Sequence, residues 1–371
     1  MAEWRHGMFN TWVIMPGKQG SIKDLCRMLW LRCFDDTEEY TDYYFDNRWN
    51  KSITILSDNI SMLHLNPYDI LINGREMGIY YIVGVCTLEE YRRHGYMDSV
   101  LKKALEFMYK QGKPFTYLMP ASEEIYKPYG FTGIYPVQGF NGEIPFKVDM
   151  VQGIQCKSIC IPYNMLKDRQ KAELIKYTGN KLAGRFTCYP VHNESYFKGL
   201  YEEMRVCGGD ILTFWDMDKN ACLGYTVYLC EEIPEIIESV FEKEIQREIL
   251  TCIKGLGFPR IKIYETNFWN LGYAGTGKQK NYLMARIVDL KAFVECIYTK
   301  ERQEMWLEVS DGIISGNNGR WHIITGEREN ICHRCENTED GRDSARYTKC
   351  TIEELEQKYF SGMEYFLNEL V

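Results

Sequence analysis

The apolar positions of the first 135 residues follow helix and strand spacings in turn. Helical spacing begins after Ser21, where Asp24 lies at the distance of a capping box, and returns over residues 96–108. Between these helices, residues 79–85 form an unbroken apolar run, which is typical of a strand covered on both faces. Residues 115–119 predict the next buried strand. The pattern therefore predicts a mixed α/β sheet.

Residues that are typical of tight turns separate the predicted strands. Asn73-Gly74 follows strands predicted over 60–65 and 68–72. Asn317-Asn318-Gly319 separates the runs 306–314 and 321–325, a spacing that is typical of a hairpin.

The pattern weakens between residues 150 and 285 but stays mixed. It predicts helices over 164–176 and 234–255, and strands over 223–230 and 261–265. The many acids of residues 231–248 are typical of a solvent-exposed helix face.

The pattern changes again near residue 286. A capping box at Thr351 and Glu354 predicts the last helix. Apolar Phe366, Leu367 and Leu370 follow it, which favours a docked chain end over a frayed one. We therefore expect three domains that pack on one another, over residues 1–150, 151–285 and 286–371.

Composition narrows the class of protein. The 371 residues include 44 Lys and Arg against 52 Asp and Glu, and the net charge of −8 disfavours a general nucleic-acid binder and permits cationic substrates. An apolar fraction of 45% excludes intrinsic disorder. No apolar stretch approaches the ~20 residues of a membrane span, no secretory signal opens the chain, and 14 cysteines lie at irregular spacing. These features predict a cytoplasmic protein with reduced thiols and no membrane partner.

The sharpest chemical signal lies between the apolar strand and the helix that begins near residue 96. Arg92 and Arg93 precede Gly95 there, in a chain whose net charge is negative. Free backbone N–H groups and the helix dipole favour an anion at such a turn, and guanidinium groups suit phosphate oxygens. A phosphate-bearing ligand is one interpretation, and an ordinary solvent-exposed helix start is the other.

Tyr126 is the second candidate. It lies in a short helical turn between two predicted strands. If the ligand continues past the first strand, this phenol could donate a proton at its reactive end. Because the chain has 27 tyrosines, packing in the core is the alternative role.

The two segments together resemble the GNAT acetyltransferases, which bind acetyl-coenzyme A. R-x-x-G-x opens the central helix and I-Y-x-x-x-G-F follows downstream. Four strings are similar to the Eis (enhanced intracellular survival) family within that superfamily: C-F-D-D at 33–36, V-G-V-C-T-L-E-E-Y-R-R-H-G at 83–95, A-S-E-E-I-Y at 121–126 and the terminal F-L-N-E-L-V.

The resemblance implies an α+β fold with mixed sheets. A catalytic GNAT domain (1–150) and a degenerate second GNAT-like domain (151–285) would precede a sterol-carrier-protein-like (SCP2-like) domain (286–371). It also implies a hexamer that transfers acetyl from acetyl-CoA, without a metal, to a primary amine of an aminoglycoside-like small molecule or a lysine. The alternative function is a non-catalytic CoA-binding sensor, or a carrier of apolar ligands that acts through the last domain.

The resemblance also assigns roles to single residues. Val83 and Val85 match the splayed strand that holds the acetyl and pantetheine groups, and Arg92, Arg93, Gly95 and Tyr96 match the pyrophosphate turn. Met97 departs from the superfamily pattern, which prefers Gly or Ala at that position. Ser122 matches a residue of the coenzyme channel, Tyr126 the general acid, the Val371 carboxylate the general base, and Asp36 an acid of the amine pocket.

Other signals do not predict a further site. In the second domain, Glu231 and Glu232 follow the strand expected to be central, and two acids there would repel a pyrophosphate. Residues 272–279 approach a P-loop but carry Gln279 where magnesium needs a hydroxyl. Cys332 and Cys335 have metal-like spacing in an incomplete ligand set, so structural thiols are the expected role.

Overall fold

The protein divides into two compact units. The computed structural model describes residues 9–17, 20–134, 136–137, 139–144, 158–230, 232–264, 280–281, 283–327, 330–335 and 346–367. The first unit combines Met1–Ile134 with Leu283–Met363, and the second combines Tyr135–Tyr282 with Glu364–Leu370. Both units mix helices with sheets, so the α+β class is confirmed. The division into three domains stays a prediction, and residues 286–363 of its last segment count with the first unit.

Helices and strands are interspersed along the described residues. The helices are α1 (Ser21–Cys33), α2 (Glu38–Asn47), α3 (Tyr96–Lys110), α4 (Glu123–Tyr126), α5 (Asp168–Ala183), α6 (Glu194–Val206), α7 (Gln246–Gly255), α8 (Leu290–Cys296) and α9 (Ile352–Phe360). The strands are β1 (Thr11–Ile14), β2 (Ile53–Ser57), β3 (Ser61–Ile72), β4 (Arg75–Thr87), β5 (Phe115–Leu118), β6 (Thr132–Gly133), β7 (Pro136–Val137), β8 (Gly139–Glu143), β9 (Ser158–Pro162), β10 (Cys188–Pro190), β11 (Asp210–Asp216), β12 (Ala221–Cys230), β13 (Pro234–Phe241), β14 (Arg260–Tyr264), β15 (Lys280–Asn281), β16 (Met284–Ile287), β17 (Gln303–Ser310), β18 (Gly319–Thr325), β19 (Ile331–Cys335) and β20 (Thr348–Thr351).

A mixed sheet is the centre of the first unit. Its strands lie in the order β1-β2-β3-β4-β5-β16-β6. β1 to β4 are antiparallel neighbours, whereas β4 and β5 are parallel because α3 carries the chain back across the sheet. β16 comes from far along the chain and lies antiparallel between β5 and β6. The helix predicted from residue 96 is confirmed, since α3 fully buries Val100, Leu101, Ala104 and Leu105.

Of the local predictions for this sheet and its first helix, the turn is confirmed and two others are not. Asn73 and Gly74, with φ of 49° and 77°, join β3 to β4 in a tight hairpin. β3 is one strand that continues through Pro67, although the sequence predicted two. The helix after Ser21 is present as α1, but its N-cap is Gly20 and no side chain caps it. The capping box predicted at its start was therefore wrong.

β4 and β5 separate part-way along their length. Their parallel pairing begins at Tyr80 with Thr116 and ends at Ile82 with Leu118. β5 stops there, but β4 continues to Thr87. Among the described residues, no strand pairs with β4 on that side beyond Ile82. The strand therefore presents backbone groups at residues 83–87 that no ladder uses on this edge.

A β-bulge coincides with the separation. Met62 of β3 pairs with Cys86 of β4, whereas His64 pairs with Val83, so β4 has one extra residue between these pairs. Gly84 lies in this extra stretch and has a φ of 64°, in the left-handed region. A bulged strand bends and twists, which is how β4 leaves its neighbour.

Gly84 also lets an aromatic ring approach the strand. A Cβ at this position would lie 2.6 Å from Cζ3 of Trp30 and 3.0 Å from Cδ2 of His64. Trp30 is 1% exposed and stacks on Tyr44 at a centroid distance of 4.6 Å. The bulge is thus packed against a buried aromatic cluster of α1 and α2.

The last segment of the first unit adds a second sheet. Its strands lie in the order β19-β18-β17-β20. The hairpin predicted around residues 317–319 is confirmed, because β17 and β18 pair antiparallel. The capping box that begins α9 is also confirmed, with Thr351 Oγ1 accepting from Glu354 N and Glu354 Oε2 accepting from Thr351 N at 2.8 Å.

A buried ion cluster connects this segment to the first sheet. The side chain of Arg286 on β16 is 1% exposed, and its Nη2 donates to Asp311 Oδ1 at 2.7 Å. Glu356 of α9 lies 3.9 Å from Arg286 Nη1 and accepts from Ile287 N at 2.8 Å. Burial raises the pKa of the Glu356 carboxyl well above its usual range, although the nearby guanidinium opposes this.

The second unit has a sheet in the order β8-β14-β13-β12-β11-β9. The sequence predicted one helix over 234–255. Its first half is instead the strand β13, so the prediction was wrong for those residues, and α7 forms the α-helix of the second half. The spacing of Glu235 and Glu238 imitates an exposed helix face, but Glu238 is 1% exposed and accepts hydrogen bonds from Tyr196 and Tyr225. Whether these residues form a strand or a helix depends on buried partners from other elements, which sequence spacing does not show.

No helix in the part of the chain that the structure describes is long and apolar enough to cross a membrane.

Removal of one partner of the buried ion cluster tests its structural role. We expect Asp311→Ala to lower the free energy of unfolding by about 3–5 kcal/mol, because Arg286 would keep a buried charge without its main partner. Denaturant unfolding followed by circular dichroism measures this. Lys291→Ala, which breaks an exposed pair with Glu295, is the control and leaves stability nearly unchanged. Equal effects of the two substitutions would contradict the assignment.

A methyl group at the bulge tests the contact with Trp30. We expect Gly84→Ala to cost about 1–3 kcal/mol more than Gly74→Ala, because both have positive φ but only the first meets a ring. Gly74 has no atom within 4 Å of an added Cβ. Chemical denaturation of the two variants gives the difference. An equal cost would mean that backbone conformation alone requires glycine at position 84.

Candidate active site

The segment from β4 to α3 is a turn that exposes backbone donors. Arg93 has a φ of 66° and Gly95 a φ of 90°, so the chain reverses over a few residues before α3 begins at Tyr96. The first N–H groups of an α-helix have no partner within the helix. Those of α3 point toward this turn, where the positive end of the helix dipole also lies. A turn of this kind is a favourable place for an anion.

Two guanidinium groups border the turn. Arg92 and Arg93 are both exposed, and Arg92 Nε donates to Thr87 O at 3.3 Å. This bond ties Arg92 to the end of β4. The Tyr96 ring packs on Phe9 at a centroid distance of 4.7 Å, which fixes the helix start. The turn before α3 thus contains four of the predicted residues: Arg92, Arg93, Gly95 and Tyr96.

Met97 does not obstruct the turn. Its side chain packs against the buried cluster that contains Val100 and Leu101 of the same helix. A larger residue than the superfamily's usual Gly or Ala is accommodated here because it faces the core.

The splayed strand leads directly into the turn. Val83 is 7% exposed and Val85 is half-buried, and both lie on the part of β4 that β5 no longer pairs with. Backbone N–H and C=O groups at residues 83–87 can bond an extended ligand as a strand would. The chain continues from this part of β4 directly into the turn at residues 92–96.

Tyr126 is part of the core cluster that also contains the last paired residues of β4 and β5. It is 6% exposed, and these paired residues are Ile82 and Leu118. Val85 packs against that cluster. Burial, with a smaller contribution from Tyr129, raises the pKa of the Tyr126 phenol to about 12. The phenol is therefore protonated at neutral pH and able to donate.

Two other predicted residues lie on exposed segments of the first unit. Asp36 follows α1, and its Oδ2 accepts from Trp30 Nε1 at 2.8 Å, so it is linked to the ring that fills the space beside Gly84. Ser122 is the exposed N-cap of α4, and its hydroxyl makes no capping hydrogen bond.

Val371 lies outside the described residues, as does Leu370. Of the apolar residues near the chain end, Phe366 and Leu367 are both fully buried in the second unit. Phe366 N donates to Cys188 O at 2.9 Å, and the Phe366 ring lies 5.2 Å from that of Phe186.

The second unit also contains a bulged strand that is followed by a helix. β13 carries an extra residue opposite β12, pairs in parallel with β14, and is followed by α7. The strand predicted over 224–230 is present as β12, whereas the bulge and the parallel pairing belong to β13. The turn after β13 holds Glu242 and Glu244, and Lys181 pairs with Glu242 at 2.7 Å. These acids would repel a pyrophosphate as the sequence predicted for Glu231 and Glu232.

Cys332, Cys335 and the P-loop-like stretch were the other signals of the sequence. Within the described ranges, no three His, Cys, Asp or Glu side chains lie together as metal ligands. Cys332 is buried in β19, whereas Cys335 is partly exposed. Residues 272–279 lie outside the described residues.

Sequence reasoning missed two residues that shape the site. Gly84 lies inside an apolar strand, and a glycine in such a run is a signal for a bulge. Trp30 carried no signal, because its contact with Gly84 joins residues far apart in the chain.

Comparisons with known proteins agree with this geometry. The family model described as acetyltransferase (GNAT) domain matches residues 19–134. No curated protein matches the chain significantly.

Solved structures share the fold over nearly the whole chain. A protein of Enterococcus faecalis described as a probable N-acyltransferase has 18% identity and a TM-score of 0.74, with 95% of this chain and 90% of that chain covered. A GCN5-related N-acetyltransferase of Anabaena variabilis has 16% identity and a TM-score of 0.71, with the same coverage of both chains. Eis1 of Mycobacterium abscessus has 11% identity and a TM-score of 0.63, again over 95% and 90%. Residues 19–134 thus match a GNAT acetyltransferase domain, and the chain shares the fold of these N-acyl- and N-acetyltransferase structures.

Proposed function

We propose that the protein is an Eis-like, acetyl-CoA-dependent N-acetyltransferase that acts on a primary amine. The acceptor would be an aminoglycoside-like polyamine or a lysine. The observation that carries the proposal is the continuity of the splayed part of β4 with the turn at residues 92–96, beside the protonated phenol of Tyr126.

The coenzyme would lie along β4. Its diphosphate has suitable partners in the free N–H groups at the start of α3 and in Arg92 and Arg93. Its pantetheine arm has the same hydrogen-bonding pattern as a peptide strand, so the backbone of Val83 and Val85 can replace the pairing that β5 does not supply. Ser122 would line the channel.

Proton transfers would complete the reaction. The Val371 carboxylate accepts a proton from the amine, which can then attack the thioester carbonyl. Backbone N–H groups near the bulge stabilise the charge that develops on the carbonyl oxygen. Tyr126 donates its proton to the departing thiolate, and a phenol whose pKa is about 12 holds that proton until the thiolate forms. No covalent enzyme intermediate is required.

The acceptor would be cationic. Asp36 lies beside the bulge through its bond to Trp30, and the segment that joins α1 to α2 also holds Asp35. Negative side chains at this position attract an ammonium group. The net charge of the chain, −8, is also negative and favours a cationic acceptor.

The domain organisation is part of the proposal. The bulge and parallel pair of β13 and β14 support a second GNAT-like domain, and the sheet β17–β20 with α8 and α9 supports an SCP2-like segment. We further propose a cytoplasmic homo-hexamer that needs no metal. Sedimentation of the purified protein tests the hexamer.

An acceptor screen tests the activity. Consumption of acetyl-CoA is followed with an aminoglycoside, a linear polyamine and a lysine peptide in parallel. Turnover with at least one of them supports the proposal. Absence of turnover with all three, together with thermal stabilisation by a fatty acid, would instead support the apolar-ligand carrier.

The proton donor is tested by Tyr126→Phe. We expect kcat to fall by about 10²-fold or more, because the thiolate would leave without a proton from the protein. The affinity for acetyl-CoA stays the same, since the ring and its packing are kept. Steady-state kinetics and calorimetric titration separate the two quantities.

Tyr129→Phe is the matched control. Burial, with a further contribution from the Asp98 carboxylate, also raises the pKa of Tyr129 to about 12. We expect this variant to keep nearly full kcat. Loss of kcat in Tyr129→Phe with normal activity in Tyr126→Phe would reverse the assignment.

The terminal base is tested by a short Gly-Ser tail after Val371. Displacement of the carboxylate should lower kcat by about 10²-fold with unchanged acetyl-CoA affinity. The same tail at the N-terminus controls for added length. Full turnover of the C-terminally tailed protein, with its fold intact by circular dichroism, would exclude the terminal base.

A further inference from the structure

One side chain of α1 contacts both the splayed strand and the link between α1 and α2. Trp30 is 1% exposed and belongs to the buried face of α1 with Cys26 and Leu29. Cζ3 of its ring lies 2.6 Å from the position that a Cβ would take at Gly84. Its Nε1 donates to Asp36 Oδ2 at 2.8 Å. Cζ3 and Nε1 lie at opposite ends of the indole, so one rigid ring connects the strand to the carboxylate.

Neighbouring rings hold the indole in place. Tyr44 stacks on it at a centroid distance of 4.6 Å, and the His64 ring lies nearly parallel to it at 6.0 Å. Tyr44 Oη donates to Asn66 Oδ1 at 2.9 Å. His64 Nδ1 shares a hydrogen bond of 2.9 Å with Thr54 Oγ1. A ring in such a close-packed interior keeps one position on average, so Trp30 is a fixed support for whatever it contacts.

The carboxylate that the indole contacts lies on the surface. Asp36 is exposed, unlike the ring that donates to it. It precedes Thr37, whose hydroxyl caps α2 by accepting from Tyr40 N at 3.1 Å. The cap fixes the backbone of the link, and the indole N–H limits the positions of the side chain. An ammonium group in solvent can therefore reach a carboxylate whose position is set from the interior.

A second buried tryptophan makes a similar bond elsewhere. Trp215 of β11 is 1% exposed, and its Nε1 donates to Thr213 Oγ1 at 2.8 Å. The partner of this indole is a hydroxyl of its own strand, in the second unit. Trp215 is therefore a matched control for the loss of a buried indole and its hydrogen bond.

We propose that Trp30 is a positioning residue for the acceptor, because it sets the place of the Asp36 carboxylate relative to the part of β4 that would hold the thioester. The inference rests on the proposed function. The amine nitrogen must lie about 3–3.5 Å from the thioester carbon before it can attack, and a displacement of about 1 Å can lower the rate about 10²-fold. A rigid ring between the two places keeps their separation constant.

Steady-state kinetics of Trp30→Phe test this role. Phenylalanine keeps an aromatic ring in the cluster but removes the N–H and shortens the side chain. The acceptor is whichever of an aminoglycoside, a linear polyamine and a lysine peptide gives the highest turnover. We expect kcat/KM for this acceptor to fall by about 10²-fold. The affinity for acetyl-CoA, measured by calorimetric titration, stays the same because the turn at residues 92–96 is unaltered. Trp215→Phe should keep nearly full kcat/KM.

Asp36→Asn distinguishes positioning from packing. The amide has nearly the shape of the carboxylate but lacks its negative charge. If Trp30 acts through Asp36, Trp30→Phe lowers kcat/KM little further in the Asp36→Asn protein, because the group that it positions no longer binds an ammonium ion. A loss by the same factor in both backgrounds would mean that Trp30 only packs, and would overturn the proposal.

A spectroscopic signal of the unaltered protein applies even if Trp30→Phe does not fold. The indole N–H resonance of Trp30 is identified by NMR spectroscopy as the one that Asp36→Asn shifts most, and that of Trp215 by its loss in Trp215→Phe. We expect the Trp30 resonance to move on titration with the same acceptor, while the Trp215 resonance stays in place. A Trp30 resonance that does not move would overturn the proposal.

The outcomes separate this inference from the proposed function. Equal kcat/KM in Trp30→Phe and Trp215→Phe, with normal turnover by the unaltered protein, overturns the positioning role while acyl transfer stands. A parallel loss of acetyl-CoA affinity in Trp30→Phe would show damage to β4 itself and would also overturn it. Turnover of no acceptor by the unaltered protein overturns the proposed function, and the inference falls with it.

Discussion

The arrangement of the site depends on one break in a β-ladder. β4 and β5 pair only as far as Ile82 and Leu118, and the bulge at Gly84 turns β4 away from its neighbour. Trp30 fills the space that a side chain at Gly84 would occupy, so the bulge is maintained by packing and not by local sequence alone. Unused backbone groups in a protein interior are costly, and a ligand that pairs with them gains this free energy.

The rest of the first unit keeps that break in place. α3 buries a full apolar face on the sheet, and β16 closes the side of β5 that faces away from the splay. Arg286 of β16 is buried with Asp311 and Glu356 as partners. Such a cluster contributes little net stability, but any other register of β16 would leave a buried charge without a partner. The last segment therefore helps to define the sheet that carries the site.

Local signals explain what the sequence could predict. The turn at residues 92–96, the hairpin at 73–74 and the capped α9 were all visible because neighbouring residues determine them. β13 was mistaken for a helix because the burial of Glu238 depends on tyrosines from other elements. Trp30 was missed for the same reason, since its contact with Gly84 spans two elements. The motif predicted a role for Tyr126, whereas its burial in one cluster with Ile82 could be seen only in the fold.

A crystal structure of the protein with acetyl-CoA tests the central claim most directly. The account predicts the diphosphate on the backbone N–H groups at the start of α3, between the guanidinium groups of Arg92 and Arg93, with the pantetheine arm paired to residues 83–87 of β4. Coenzyme bound at any other place, or with its diphosphate away from this turn, would contradict it.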